Sequence, residues 1–117
     1  MSRVPTSGKS ARGSTTGRPI MTLLDLLGRR MALRMLWELS RSKTPLTFRV
    51  LQAAADTNPS LLNTRLKELR AADLVQLTDT GYALTAYGAS LLKLLLPLHT
   101  WSETWSKSQL KVTKRAK

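Results

Sequence analysis

The chain contains no cysteine. Disulfides, thiolate catalysis and cysteine–zinc sites are therefore excluded. It has a single histidine, His99, set in a leucine-rich stretch. One histidine without cysteines argues against a zinc or haem centre, so no metal or other cofactor is expected. Acids are scarce. Asp25, Glu38, Asp56, Glu68, Asp73, Asp79 and Glu103 are scattered and show no metal-loop spacing. No catalytic motif appears among them, so a non-enzymatic role is expected. Long apolar runs are missing too. A membrane span needs about 18 or more apolar residues. The longest cluster here, Leu91–Leu98, is interrupted by Lys93 and Pro97. No apolar segment precedes residue 20, so the start does not read as a secretory signal. A cytoplasmic location, away from the membrane, is the expectation.

What is abundant is positive charge. The 117 residues, enough for one domain, carry a formal net charge of +12. Residues 1–18 hold Arg3, Lys9, Arg12 and Arg18 with no acid. Residues 107–117 hold Lys107, Lys111, Lys114, Arg115 and Lys117 with no acid. Nine of the twelve net charges therefore lie on the flanks. A polyanionic partner follows, with nucleic acid first and an anionic membrane surface as the rival. The Ser-, Thr-, Gly- and Arg-rich residues 1–18 cannot bury enough apolar surface to offset their ordering entropy. They are read as a disordered basic arm, and residues 107–117 as a disordered basic tail. Gly8-Lys9-Ser10 looks like the end of a phosphate-binding loop, but Arg3 stands where the earlier glycine belongs.

Between the flanks, residues 19–106 show helical periodicity. Ile20, Leu23, Leu24 and Leu27 repeat at i, i+3, i+4 and i+7, which predicts a helix ending near Gly28. A second helix is expected from Arg29 to Ser40, with Ala32, Met35, Leu36 and Leu39 inward and Arg29, Arg30 and Arg34 outward. Thr47 or Thr44 caps a third, with Phe48, Leu51 and Ala55 inward. The fourth, Asn58 to Val75, has Asn58 as a cap, Pro59 in the first turn, and Leu62, Leu66 and Leu69 on one face. Ser60, Asn63, Thr64 and Lys67 lie largely off that stripe. Leu74–Thr78, Asp79-Thr80-Gly81 and Tyr82–Leu84 read as a small hairpin in which Gly81 supplies φ > 0. Its tip carries Asp79 and no base. Thr85 then caps a long helix reaching about Lys107, kinked at Pro97. Leu91, Leu94, Leu95, Leu98, Trp101 and Trp105 form a stripe on it, with Leu92 and Leu96 alongside. That stripe is wider than one packing face needs, so a second subunit is its simplest further cover.

This order of elements resembles the winged helix-turn-helix regulators of the HxlR type, near the MarR family. Five stretches carry the resemblance over residues 20–106. Leu26-Leu27-Gly28 with Met35-Leu36-Trp37-Glu38-Leu39 is similar to the family's opening helix pair. Thr47-Phe48-Arg49-Val50-Leu51 is similar to its RFxxL segment, and Leu62–Leu69 with Asp73-Leu74-Val75 to its recognition helix. Tyr82–Gly88 is similar to its YxLTxxG joint, and Leu94–Leu98 with Trp101 to its closing dimer helix. The chain departs from the pattern at Met31, where the family has Trp; at Thr47, where it has Arg; and at Asp73, where it has Gly. The hairpin is also shorter than usual.

The resemblance implies a mainly α fold with a β-hairpin wing, a homodimer through terminal helices, and transcriptional regulation on a near-palindromic operator in double-stranded DNA. The candidate DNA-binding residues are Ser60, Asn63, Thr64, Lys67, Arg65, Arg49, Arg29 and Arg30. Asn63 suits adenine, and Thr64 a thymine methyl or a phosphate. The candidate dimer residues are Leu23, Leu27, Leu94, Leu98, Trp101 and Trp105. A small-molecule effector would be a further partner, of chemistry the sequence does not name. The alternative is a protein-interaction module that keeps this fold, or a non-specific nucleic-acid binder driven by its basic tails.

Overall fold

A computed structural model describes the backbone of residues 18–116 and the side chains up to Lys111. Residues 1–17 of the expected arm, and with them the Gly8-Lys9-Ser10 fragment, lie outside the described residues. The protein is mainly helical with one small antiparallel hairpin. The elements run α1 (Pro19–Leu27), α2 (Ala32–Arg41), α3 (Phe48–Ala55), α4 (Pro59–Ala71), β1 (Val75–Thr78), β2 (Gly81–Leu84) and α5 (Ala86–Ala116).

Capping chemistry sets most of these boundaries. Thr47 Oγ1 accepts the Val50 N–H at 3.2 Å and starts α3. Asn58 Oδ1 accepts the Leu61 N–H at 2.8 Å and starts α4, with Pro59 next in line. Thr85 Oγ1 accepts the Gly88 N–H at 3.0 Å and donates to the Asp73 carbonyl at 2.6 Å, so one hydroxyl caps α5 and ties it to the end of α4. Each such cap contributes about 1 kcal/mol. The second helix begins later than the sequence predicts, at Ala32 rather than Arg29. Residues 28–31 form a turn instead, in which Met31 takes the left-handed conformation at φ 71°. Asp56 and Asp73 also adopt positive φ, at 53° and 60°, just past the ends of α3 and α4.

The core is built from leucines contributed by every helix. Met35, Leu36 and Leu39 of α2, Leu51 of α3, Leu62, Leu66 and Leu69 of α4, and Leu92 of α5 meet Leu27, Leu74 and Val75. The hairpin pairs Val75 with Leu84 and Thr78 with Gly81 around the turn Asp79-Thr80. A feature absent from the sequence reading extends it. Leu46, in the loop before α3, exchanges two backbone hydrogen bonds with Tyr82 at 2.9 and 2.7 Å, which anchors that loop on β2. No Cβ fits at Gly88, where it would collide with the Leu74 carbonyl, so this joint requires glycine.

α5 corrects the expected tail. The helix runs through to Ala116, about nine residues past Lys107, so the stretch expected to be disordered has helical backbone. Beyond Pro97 there is no glycine or proline to stop it. Lys, Gln and Leu favour the helix, and cations near its C-terminus suit the macrodipole. No helix among the described residues is long and apolar enough to cross a membrane.

Candidate nucleic-acid interface

The helix α4 has three longitudinal strips of different chemistry. Leu62, Leu66 and Leu69 are buried and fix it to the body. On the opposite strip Ser60, Asn63, Thr64 and Lys67 are all exposed. None of these four side chains makes a hydrogen bond within the described residues. Arg70 continues the same strip, three residues after Lys67 and seven after Asn63, and is exposed as well. Sequence reasoning passed over Arg70, although its i+3 and i+7 spacing signals it. Beyond Lys67 and Arg70 a shallow cleft leads to Val75, Gln76 and Leu77 of β1. The cleft joins the strip to the hairpin, with Ala71, Val75 and Leu77 as its apolar lining. The hairpin tip, Asp79 and Thr80, is exposed and carries no base.

The third strip is neutralised. Arg65 donates from Nε to the Arg30 carbonyl at 2.8 Å and from Nη1 to Glu68 at 3.2 Å. Arg29 reaches Glu68 at 3.0 Å and Asp25 at 3.0 Å. Arg29 Nε is buried without a partner among the described residues. Asp25, Arg29, Glu68 and Arg65 therefore form one ion-pair chain from α1 to α4. Two of the arginines expected to meet DNA, Arg29 and Arg65, are engaged inside the protein. The Arg65–Glu68 pair follows the i, i+3 spacing of α4, but the Arg29–Glu68 pair and the Arg65 bond to the Arg30 carbonyl link segments 35 or more residues apart, which helical spacing does not reveal. Arg30 and Arg49 are exposed and make no side-chain bond within the described residues. Arg34, predicted on the outer face of α2, donates to Glu38 at 2.9 Å and to the Ala54 carbonyl at 2.9 Å, bracing α2 on α3.

The apolar surface set aside for a second subunit divides differently from the expectation. Leu27 is buried in the protein's own core and Leu23 packs against it, so neither offers itself to a partner. A helix of nine residues with leucines at 23, 24, 26 and 27 must turn some of them outward, and only the body it packs on decides which. The outward residues of α1 are Ile20, Met21 and Leu24. On α5, Leu92 is buried and Leu91 and Leu95 pack on the core. Leu94 and Leu98 are 71% and 56% exposed, and Trp101 and Trp105 are 61% and 52% exposed. The two indoles stack with centroids 6.0 Å apart and planes 10° from parallel. His99 points the other way, its ring 5.8 Å from Trp37 of α2 and its Nε2 3.5 Å from Glu103.

Among the described residues no three His, Asp or Glu side chains come together as a metal centre needs. No protein-family model matches the chain, and no curated protein matches it.

Proposed function

We propose that the protein is a winged helix-turn-helix transcriptional regulator of the HxlR type, which reads double-stranded DNA as a homodimer. The observation that carries this reading is the outer strip of α4. It presents an amide, two hydroxyls and two cations in one row, all exposed and all without side-chain partners among the described residues. A solvated helix face commonly mixes acids and bases, whereas this strip carries no acid: Glu68, the one acid between Ser60 and Arg70, is paired with Arg29 and Arg65. In the major groove Asn63 would take adenine N6 and N7, and Thr64 a thymine methyl. Lys67, Arg70 and Arg49 would hold phosphates and set the register. Arg65 and Arg29 instead hold α4 against the turn after α1, which keeps the reading strip at a defined angle. The wing is a spacer in this reading, because Asp79 at its tip is repelled by phosphate.

The second copy covers the outer face of α5. Leu94, Leu98, Trp101 and Trp105 follow the four- and three-residue spacing of a packed helix pair. Pairing about a two-fold axis would set two α4 strips toward successive major grooves, about 34 Å apart. The acidic tip also favours a second reading, a protein-interaction module on the same fold. Selection from a random DNA pool separates the two. A regulator enriches an inverted repeat, and an interaction module enriches nothing.

A further inference from the structure

A cleft separate from the reading strip opens between the end of α1, the turn at residues 28–31 and α4. It is an open, mostly polar depression of about 690 Å³. Leu24, Asp25, Gly28, Arg29, Arg30, Arg65 and Glu68 line it. The walls carry three cations and two anions. The anions are already taken: Glu68 by Arg29 and Arg65, Asp25 by Arg29. One positive charge remains uncompensated. The Arg30 guanidinium has no hydrogen-bond or ion-pair partner among the described residues. Arg65 spends Nε and Nη1 within the protein, leaving Nη2 without a partner among the described residues. At the rim Leu24 is 55% exposed.

We propose that this cleft binds a small amphipathic monoanion, a carboxylate with a short aliphatic chain. One negative charge balances the walls, whereas a dianion overshoots them and meets Asp25 and Glu68. Its two carboxylate oxygens would accept from two donors offered by different segments, the Arg30 fork and Arg65 Nη2. The aliphatic chain lies on Leu24. The inference stands on the cleft alone and does not require that α4 reads DNA. If both hold, the ligand grips Arg65 Nη2 on the flank of the reading helix, beside the Nη1 bond to Glu68.

The test is titration of the full-length protein with sodium hexanoate, followed by amide chemical shifts. Saturable shifts at Gly28, Arg30 and Arg65 are expected, and none with 1-hexanol, which lacks the charge. Arg30→Gln should weaken hexanoate binding about tenfold, the loss of one charge-assisted contact, while Arg41→Gln should not alter it. Leu24→Ser should weaken hexanoate but leave acetate unchanged. Arg30 and Leu24 are both exposed, so these variants keep the fold. The proposal is overturned if no saturable shift appears, if Arg30→Gln binds as tightly as the parent, or if inorganic phosphate binds as well as hexanoate. It is also overturned if duplex DNA moves these amides and hexanoate does not, since the cleft would then be a backbone-phosphate contact.

Discussion

Helices α4 and α5 solve the same packing problem and leave opposite surfaces behind. Each anchors itself with leucines: Leu62, Leu66 and Leu69 on α4, and Leu91, Leu92 and Leu95 on α5. The free side of α4 is a row of short polar and basic groups. The free side of α5 is Leu94, Leu98 and two stacked tryptophans. A polar row is stable in water and gains only from a partner with complementary groups. An apolar row is costly in water, at roughly 25 cal/mol for each Å² left wet, and gains from any apolar cover. The two faces would therefore suit different partners, one through direction and charge and the other through area.

The sharpest contrast lies between buried and exposed leucines. Leu66→Ala, in the shared core, should lower unfolding free energy by about 3 kcal/mol in urea titrations. Leu94→Ala should leave the stability of the isolated chain within about 0.5 kcal/mol, as exposed substitutions do. A large loss from Leu94→Ala at concentrations where the protein is monomeric would contradict the division of α5 into two faces. Next in size is association. Replacing both Trp101 and Trp105 by Ala should cost dimerisation about 2 kcal/mol or more in sedimentation equilibrium, because paired aromatics dominate such contacts. If the parent is monomeric at all concentrations, the outer face of α5 has some other cover.

On α4 the corresponding substitution, Asn63→Ala, should cost about 1–3 kcal/mol of preference for the selected site and leave stability unchanged. Asn58→Ala sits one turn earlier and should do the reverse. It removes the cap of α4, costs about 1 kcal/mol of stability, and leaves any ranking of DNA sites intact. The smallest effect is at the exit of α4. Asp73→Gly should raise the thermal midpoint, since the left-handed backbone there suits glycine better by about 0.5–1 kcal/mol.

These contrasts show where the sequence was informative. Local signals were legible because they act within a few residues. Asn58, Thr47 and Thr85 each cap the helix that follows them. The leucine spacing of α2 and α4 picks out the sides that are buried. Signals that depend on what lies opposite were not legible. Nothing in Pro19–Leu27 says that Leu27 turns inward and Leu24 outward, because both sit on one apolar helix and the body decides. The bond pair between Leu46 and Tyr82 joins segments far apart in sequence. The Arg29–Glu68 ion pair and the Arg65 bond to the Arg30 carbonyl are of the same kind, and they engage within the protein two of the eight residues assigned to DNA. Met31 in a left-handed turn has no composition signal at all, which is why the second helix was placed three residues early. The helical backbone of residues 107–116 was missed for a different reason. Uniform positive charge suggests disorder, but no helix breaker stands there.

The central claim is that the polar strip of α4 reads a sequence. Fluorescence anisotropy tests it most directly, with a duplex selected from random DNA and a scrambled control, titrated at low and near-physiological salt. The account predicts that the selected duplex is an inverted repeat, that it stays preferred by several kcal/mol as salt rises, and that Asn63→Ala erodes the preference. Equal binding of both duplexes, lost in parallel as salt increases, would contradict it and leave only sequence-independent charge attraction.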